Sequence, residues 1–181
     1  GNVGFDKKIW QAQIDGDAVF FSLTSPDGEE GFPGALSIVV IFSLDEENAL
    51  SIQYMLNSDQ DTIQNMTNHA YFNLAGAGKG DILGHELVLN ANTFLPVDST
   101  LIPTGVRQPV AGTVFDFTKN KRIGAEIDQK SDQQIRFGLG YDHCWVLTDP
   151  STTLKQAAVL TEPGSGRVME VLTTEPAIQF Y

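Results

Sequence analysis

Three histidines, His69, His85 and His143, are the side chains of this chain best suited to moving a proton near neutral pH. Two of them keep similar company. His69 lies in Thr67-Asn68-His69-Ala70-Tyr71-Phe72-Asn73-Leu74-Ala75-Gly76, and His143 in Gly140-Tyr141-Asp142-His143-Cys144-Trp145. An imidazole with an ordinary pKa of about 6.5 serves as general acid or as hydrogen-bond donor at neutral pH. Tyr71 and Phe72 beside the first, and Tyr141 and Trp145 beside the second, supply flat apolar faces of the kind that suit the C–H face of a pyranose. Asn68, Asp142 and the imidazoles could address its hydroxyls. The alternative for each is a histidine satisfied inside a β-sandwich core, and residue types alone favour that alternative. His85, followed by Glu86 at the start of an expected strand, reads as structural.

Other chemistries lack their patterns. No HExxH pair is present, and three dispersed histidines make a poor zinc or iron site, so no metal is expected. Gly164-Ser165-Gly166 lacks the spacing of a serine-nucleophile elbow. Gly76, Gly78 and Gly80 have the density of a phosphate loop, but Gly80 follows Lys79 where Ser or Thr is required, so a hairpin loop is the better reading. Asn65-Met66-Thr67 fits the N-glycosylation sequon, yet it abuts the His69 motif on an expected strand rather than an exposed loop tip.

Composition narrows the classes further. A formal net charge of −12 over 181 residues argues against nucleic acid as a partner, because such binding needs a basic face to displace counterions. It weighs mildly against a phosphorylated substrate as well. Cys144 is the single cysteine, so no internal disulfide can form and nothing demands an oxidising compartment. The longest apolar run, Ile38-Val39-Val40-Ile41-Phe42, is too short to span a bilayer, and no signal-peptide pattern follows Gly1. The cytosol is the default location, with no membrane partner.

The elements that must position these residues read as short strands. Leu50, Ile52, Tyr54 and Leu56 alternate with polar or longer side chains, the period of a half-buried strand. Ala35 to Leu44 is apolar on both faces, and Asp45-Glu46-Glu47-Asn48 joins the two as a hairpin. Lys8 to Ile14 and Ala18 to Thr24 flank Asp15-Gly16-Asp17, a second hairpin signal. Further strands are expected over Glu86 to Asn90, Gln156 to Thr161 and Arg167 to Thr173, with Pro163-Gly164-Ser165-Gly166 turning the chain between the last two. One short helix is expected near Ile123 to Gln129. The fold class is all-β, an antiparallel β-sandwich in a single domain.

The two histidine motifs, with Pro96-Val97-Asp98-Ser99-Thr100-Leu101-Ile102-Pro103-Thr104-Gly105 and Thr173-Thr174-Glu175-Pro176-Ala177-Ile178-Gln179-Phe180-Tyr181, resemble the aldose 1-epimerase (galactose mutarotase) family in order and spacing. The resemblance covers essentially the whole chain. It implies the family's antiparallel supersandwich, here incomplete: residues 1–181 would be one epimerase-like domain truncated at both ends. It further implies interconversion of the α and β anomers of hexoses such as galactose or glucose, without a cofactor. Carried over residue by residue, His143 is the proton donor to the ring oxygen. His69, His143, Cys144, Trp145 and Asn68 are the substrate contacts. Relatives carry a small polar residue and Phe where this chain has Cys144-Trp145, which bears on sugar preference. Glu175 is set aside as the base because the family tolerates Gln there; the family's base and a substrate-binding aspartate are expected beyond Tyr181, so the 181 residues alone are expected to be inactive. Two rivals remain, a mutarotase-like domain that binds sugar without turnover and a hexose-6-phosphate 1-epimerase. The second would need arginines gathered at the pocket, whereas Arg107, Arg122, Arg136 and Arg167 are scattered.

Overall fold

The computed structural model describes residues 2–181. Regular structure is nearly all β, and the chain divides into two compact units, Gly1–His69 and Ala70–Tyr181.

The first unit is a four-stranded antiparallel meander of β1 (Gln11–Asp15), β2 (Ala18–Ser25), β3 (Leu36–Leu44) and β4 (Leu50–Ser58), in that spatial order. Gly16 and Asp17 make the two-residue loop of the first hairpin, with Gly16 at φ 56° at the first central position, where only glycine is unstrained. Asp45 shapes the β3–β4 turn by accepting from the backbone N–H groups of Glu47 and Ala49 at 2.9 and 2.8 Å. Period-two alternation puts Leu36, Ile38 and Val40 of β3 into the core, with Phe21, Leu23, Phe42, Ile52, Tyr54 and Leu56 packed around them. Strand β1 begins three residues later than the sequence suggests, since Ile9 is almost wholly exposed.

The second unit is a sandwich of two four-stranded antiparallel sheets. One has the order β11 (Arg167–Thr173), β10 (Lys155–Glu162), β5 (Glu86–Leu89), β8 (Lys121–Arg122). The other runs β12 (Ala177–Phe180), β9 (His143–Leu147), β6 (Ala91–Leu95), β7 (Gln108–Pro109). The chain passes from one sheet to the other at Asn90, whose backbone N–H donates to Ala157 at 2.9 Å while its carbonyl accepts from Thr148 at 2.9 Å. Leu87 and Leu89 of β5 and Ala158 and Leu160 of β10 meet Phe94 of β6 and Trp145 of β9 in one buried cluster. Phe115, Phe117 and Tyr141 fill the same core from the loops. Its rings pack in offset and edge-on pairs, Phe94 stacking on Phe115 at 4.3 Å and Phe117 standing edge-on to Tyr141 at 5.1 Å.

Two expectations are corrected. The helix expected near Ile123 to Gln129 is only a 3-10 turn over Ile123–Ala125: the backbone leaves the helical region at Glu126, φ −138° and ψ 6°, and the N–H groups of Ile123 and Gly124 anchor the turn to the β5 approach, donating to His85 and Leu83 at 2.9 Å each. The α-helix, α1, is Gln133–Gly138. Asp132 caps it, accepting from Gln134 and Ile135 N–H at 2.7 and 3.2 Å, and Leu139 ends it in the left-handed region at φ 56°. The stretch around His69 is not a strand either. Residues 61–73 join no described sheet, and Asn65 is exposed, so strand burial does not argue against the sequon there.

Candidate functional site

His143 opens β9, whose alternation sends His143, Trp145 and Leu147 into the core and turns Cys144 and Val146 the other way. The imidazole is completely buried, in edge-on contact with Phe115 at 4.6 Å and Phe94 at 5.8 Å. Both ring nitrogens are engaged. Nδ1 accepts the backbone N–H of Asp142 at 3.1 Å, and Nε2 lies 3.1 Å from Oε1 of Gln134. The Gln134 amide is oriented by Val97: Val97 N–H donates to Oε1 at 2.7 Å, and the Gln134 amide N–H donates to the Val97 carbonyl at 3.0 Å. Oε1 is therefore an acceptor, so the imidazole proton sits on Nε2. Removal from water lowers the His143 pKa below its ordinary value, and the carboxylates of Asp142 and Asp132 oppose that shift in part.

Three of the four motifs converge on this histidine. Val97 belongs to the loop from Pro96 to Gly105, which closes on itself around Asp98. Asp98 accepts from Thr100 Oγ1 at 2.6 Å and from the N–H groups of Thr100 and Ile102 at 2.8 and 3.2 Å, and the Thr100 hydroxyl chiefly holds its carboxyl below the usual range. The C-terminal motif supplies β12, which pairs with β9 so that Phe180 lies opposite His143 and Gln179 opposite Cys144. Gln179 also donates to the Asp142 carboxylate at 2.8 Å. Glu175 is exposed in the turn before β12, where its N–H bonds Thr173 Oγ1 at 3.0 Å.

The remaining predicted positions are disposed differently. Trp145 has no exposed surface, and its indole N–H is used on the Phe115 carbonyl at 3.0 Å. Cys144 is half-buried on the opposite face of β9, and burial raises its thiol pKa. Asn68 and His69 are exposed at the end of the first unit. The second half of that motif belongs to the second unit, where Tyr71 stands edge-on to Tyr181 at 6.1 Å. Leu74 is clamped there: its N–H donates to Nε2 of buried His85 at 3.0 Å, and its carbonyl accepts from Arg167 at 2.9 Å. Nε2 of His85 thus serves to hold Leu74. Gln134 escaped the sequence reading because the helix was expected ten residues earlier; Asp132 preceding it was the visible capping signal.

The sequence profile of the aldose 1-epimerase family matches residues 2–181. The chain belongs to the aldose 1-epimerase family. It is 44% identical over 178 residues to a galactose mutarotase of Rattus norvegicus, covering 98% of this chain and 50% of that protein. It is 41% identical over 182 residues to the aldose 1-epimerase of Escherichia coli strain K12, covering 100% of this chain and 52% of that one. Among solved structures, galactose 1-epimerase from Lactobacillus acidophilus NCFM superposes with a TM-score of 0.75 at 36% identity, over 86% of this chain and 46% of its own. The chain spans about half the length of the curated relatives it matches. Among the described residues, no helix is long and apolar enough to cross a membrane.

Proposed function

We propose that the protein carrying this chain interconverts the α and β anomers of a neutral hexose such as galactose or glucose, with His143 as the acid. The observation that carries this reading is the His143 site itself: a buried imidazole in the family's motif, its proton on the nitrogen opposite the one tied to the backbone. In the reaction a base removes the proton of the anomeric hydroxyl while His143, as the imidazolium, gives its Nε2 proton to the ring oxygen and is left as the neutral imidazole. The C1–O bond opens to the free aldehyde, the C1–C2 bond rotates, and closure on the other face returns both protons along the same paths. Acid and base must flank the hemiacetal, which two positioned side chains accomplish without a cofactor. His69 and Asn68 are proposed as substrate contacts from the exposed motif, and Cys144 and Trp145 as the residues beside the acid whose identities tune the sugar recognised. The compartment we propose is the cytosol, on the single cysteine alone.

The test is polarimetry of freshly dissolved α-glucose or α-galactose with the full-length protein. His143→Ala should lower kcat by about 10²–10⁴-fold, and His69→Asn should mainly raise KM. Near-normal kcat in the His143 variant would remove it from the acid role. Sugar binding with no turnover in the unmodified full-length protein would favour the non-catalytic sugar-binding reading.

A further inference from the structure

The exposed groove lined by Gly112, Thr113, Asp116, Lys119 and Gln129 carries nothing here, since Lys121 and Glu126 within it pair with each other at 2.9 Å. The Gln134 contact carries more. Helix α1 faces His143 at two positions one turn apart: Gln134 meets it by its amide, and a Cβ at Gly138 would come within 3.2 Å of His143 Cε1. Gln134 cannot turn its amide over without breaking two bonds to Val97, so it offers the imidazole an acceptor and never a donor. An acceptor opposite Nε2 is compatible with the neutral ring and with the imidazolium alike. In either form a proton stays on Nε2 and the ring plane is held.

We propose that Gln134 is a positioning residue for His143, keeping the acid's proton on Nε2 and the imidazole in register until the ring oxygen of the sugar takes Gln134's place as acceptor. Helix α1 and the Pro96 to Gly105 loop, joined by the Gln134–Val97 pair, then form the frame of the acid. This rests on the reading of His143 as proton donor.

Two arms separate the inference from that reading. The first uses the full-length protein labelled with ¹⁵N-histidine, and reads the His143 tautomer from its Nδ1 and Nε2 chemical shifts. The unmodified protein should show the proton on Nε2, and Gln134→Leu should move both nitrogen shifts toward tautomer averaging. The second arm measures kcat, KM and the pH–rate profile in the full-length protein. Gln134→Leu should lower kcat by about 10–100-fold with KM within about twofold, as expected when a reacting group loses its alignment. Gln134→Glu keeps an acceptor opposite Nε2; it should recover part of the kcat and shift the His143 limb of the profile to higher pH, because a carboxylate favours the imidazolium. Should Gln134→Leu fail to fold, Gln134→Glu alone decides, and an unshifted profile overturns the proposal. A proton found on Nδ1 in the unmodified protein, or a Gln134→Leu protein with normal kcat and unmoved nitrogen shifts, overturns it as well, whatever happens to its Tm. If His143→Ala turns over normally, the acid assignment fails first, and the positioning role falls with it even where the tautomer is as described.

Discussion

The two histidine motifs are alike in the sequence and opposite in the structure. Each sets an imidazole among aromatic residues and a polar neighbour. His143 became part of a strand, with Trp145 and Tyr141 on the core side, and has no exposed surface. His69 lies in a stretch without regular structure, exposed, and followed by Tyr71 at 75% and Phe72 at 45% exposure. Aromatic residues beside a histidine are thus ambiguous. In a paired strand they become the core that desolvates and orients the ring. Outside regular structure they become surface that a ligand can cover.

Substitutions in the two motifs should break that symmetry most visibly. Trp145→Ala removes a wholly buried ring and strands the Phe115 carbonyl, and should destabilise the chain by about 3–5 kcal/mol in urea titration. Tyr71→Ala should cost less than about 1 kcal/mol, since most of its side chain is already in water. Equal losses would mean that the exposed motif is packed as tightly as the buried one.

Gly138→Ala sharpens the contrast from the helix side. The new methyl would come within 3.2 Å of His143 Cε1, so about 1–3 kcal/mol of destabilisation is expected by the same titration. A neutral effect would mean that the imidazole can shift.

The pH dependence separates the motifs next. Burial lowers the folded-state pKa of His143, so below about pH 6.5 the unfolded chain binds more protons than the folded one. Stability from this group is present in full above that pH and drains away as pH falls through it toward the depressed folded value. Asp98 and Asp116, held low chiefly by the hydroxyls of Thr100 and Thr118, act only near and below about pH 3.9. Denaturation midpoints between pH 7 and pH 5 should therefore fall in the unmodified chain and flatten in His143→Gln. An equally steep fall in that variant would assign the effect elsewhere.

The smallest perturbation is chemical labelling. Diethyl pyrocarbonate should modify the exposed His69 in the native chain, and leave His85 and His143, at 2% and 0% exposure, untouched until the chain unfolds. Peptide mapping reads the difference. Fast modification of His143 would mean that the core around β9 opens readily.

The hairpins β1–β2 and β3–β4 were legible because their signals are local: a glycine at a positive φ, an aspartate that caps its own turn, and side chains alternating in and out of the core. Strands β6, β9 and β12 were not legible as strands. Their residues read as motif rather than as pattern, and each is stabilised by partners far away in the chain, as where Phe94 lies opposite Trp145 and Ile178 flanks the same residue from the other side. The helix was misplaced for the same reason. Hydrogen bonds from Ile123 and Gly124 to residues some forty positions earlier fasten that segment to the β5 approach, and the backbone leaves the helical region at Glu126.

By itself the sequence determined the all-β class, the period of its strands and the four motifs of the aldose 1-epimerase family, one of them holding His143. These follow from residue type and spacing. Only the tertiary structure decided which nitrogen of His143 carries its proton. That choice depends on an amide nine residues away, oriented by a backbone pair at Val97, and no local pattern encodes a bond whose partners are brought together by packing.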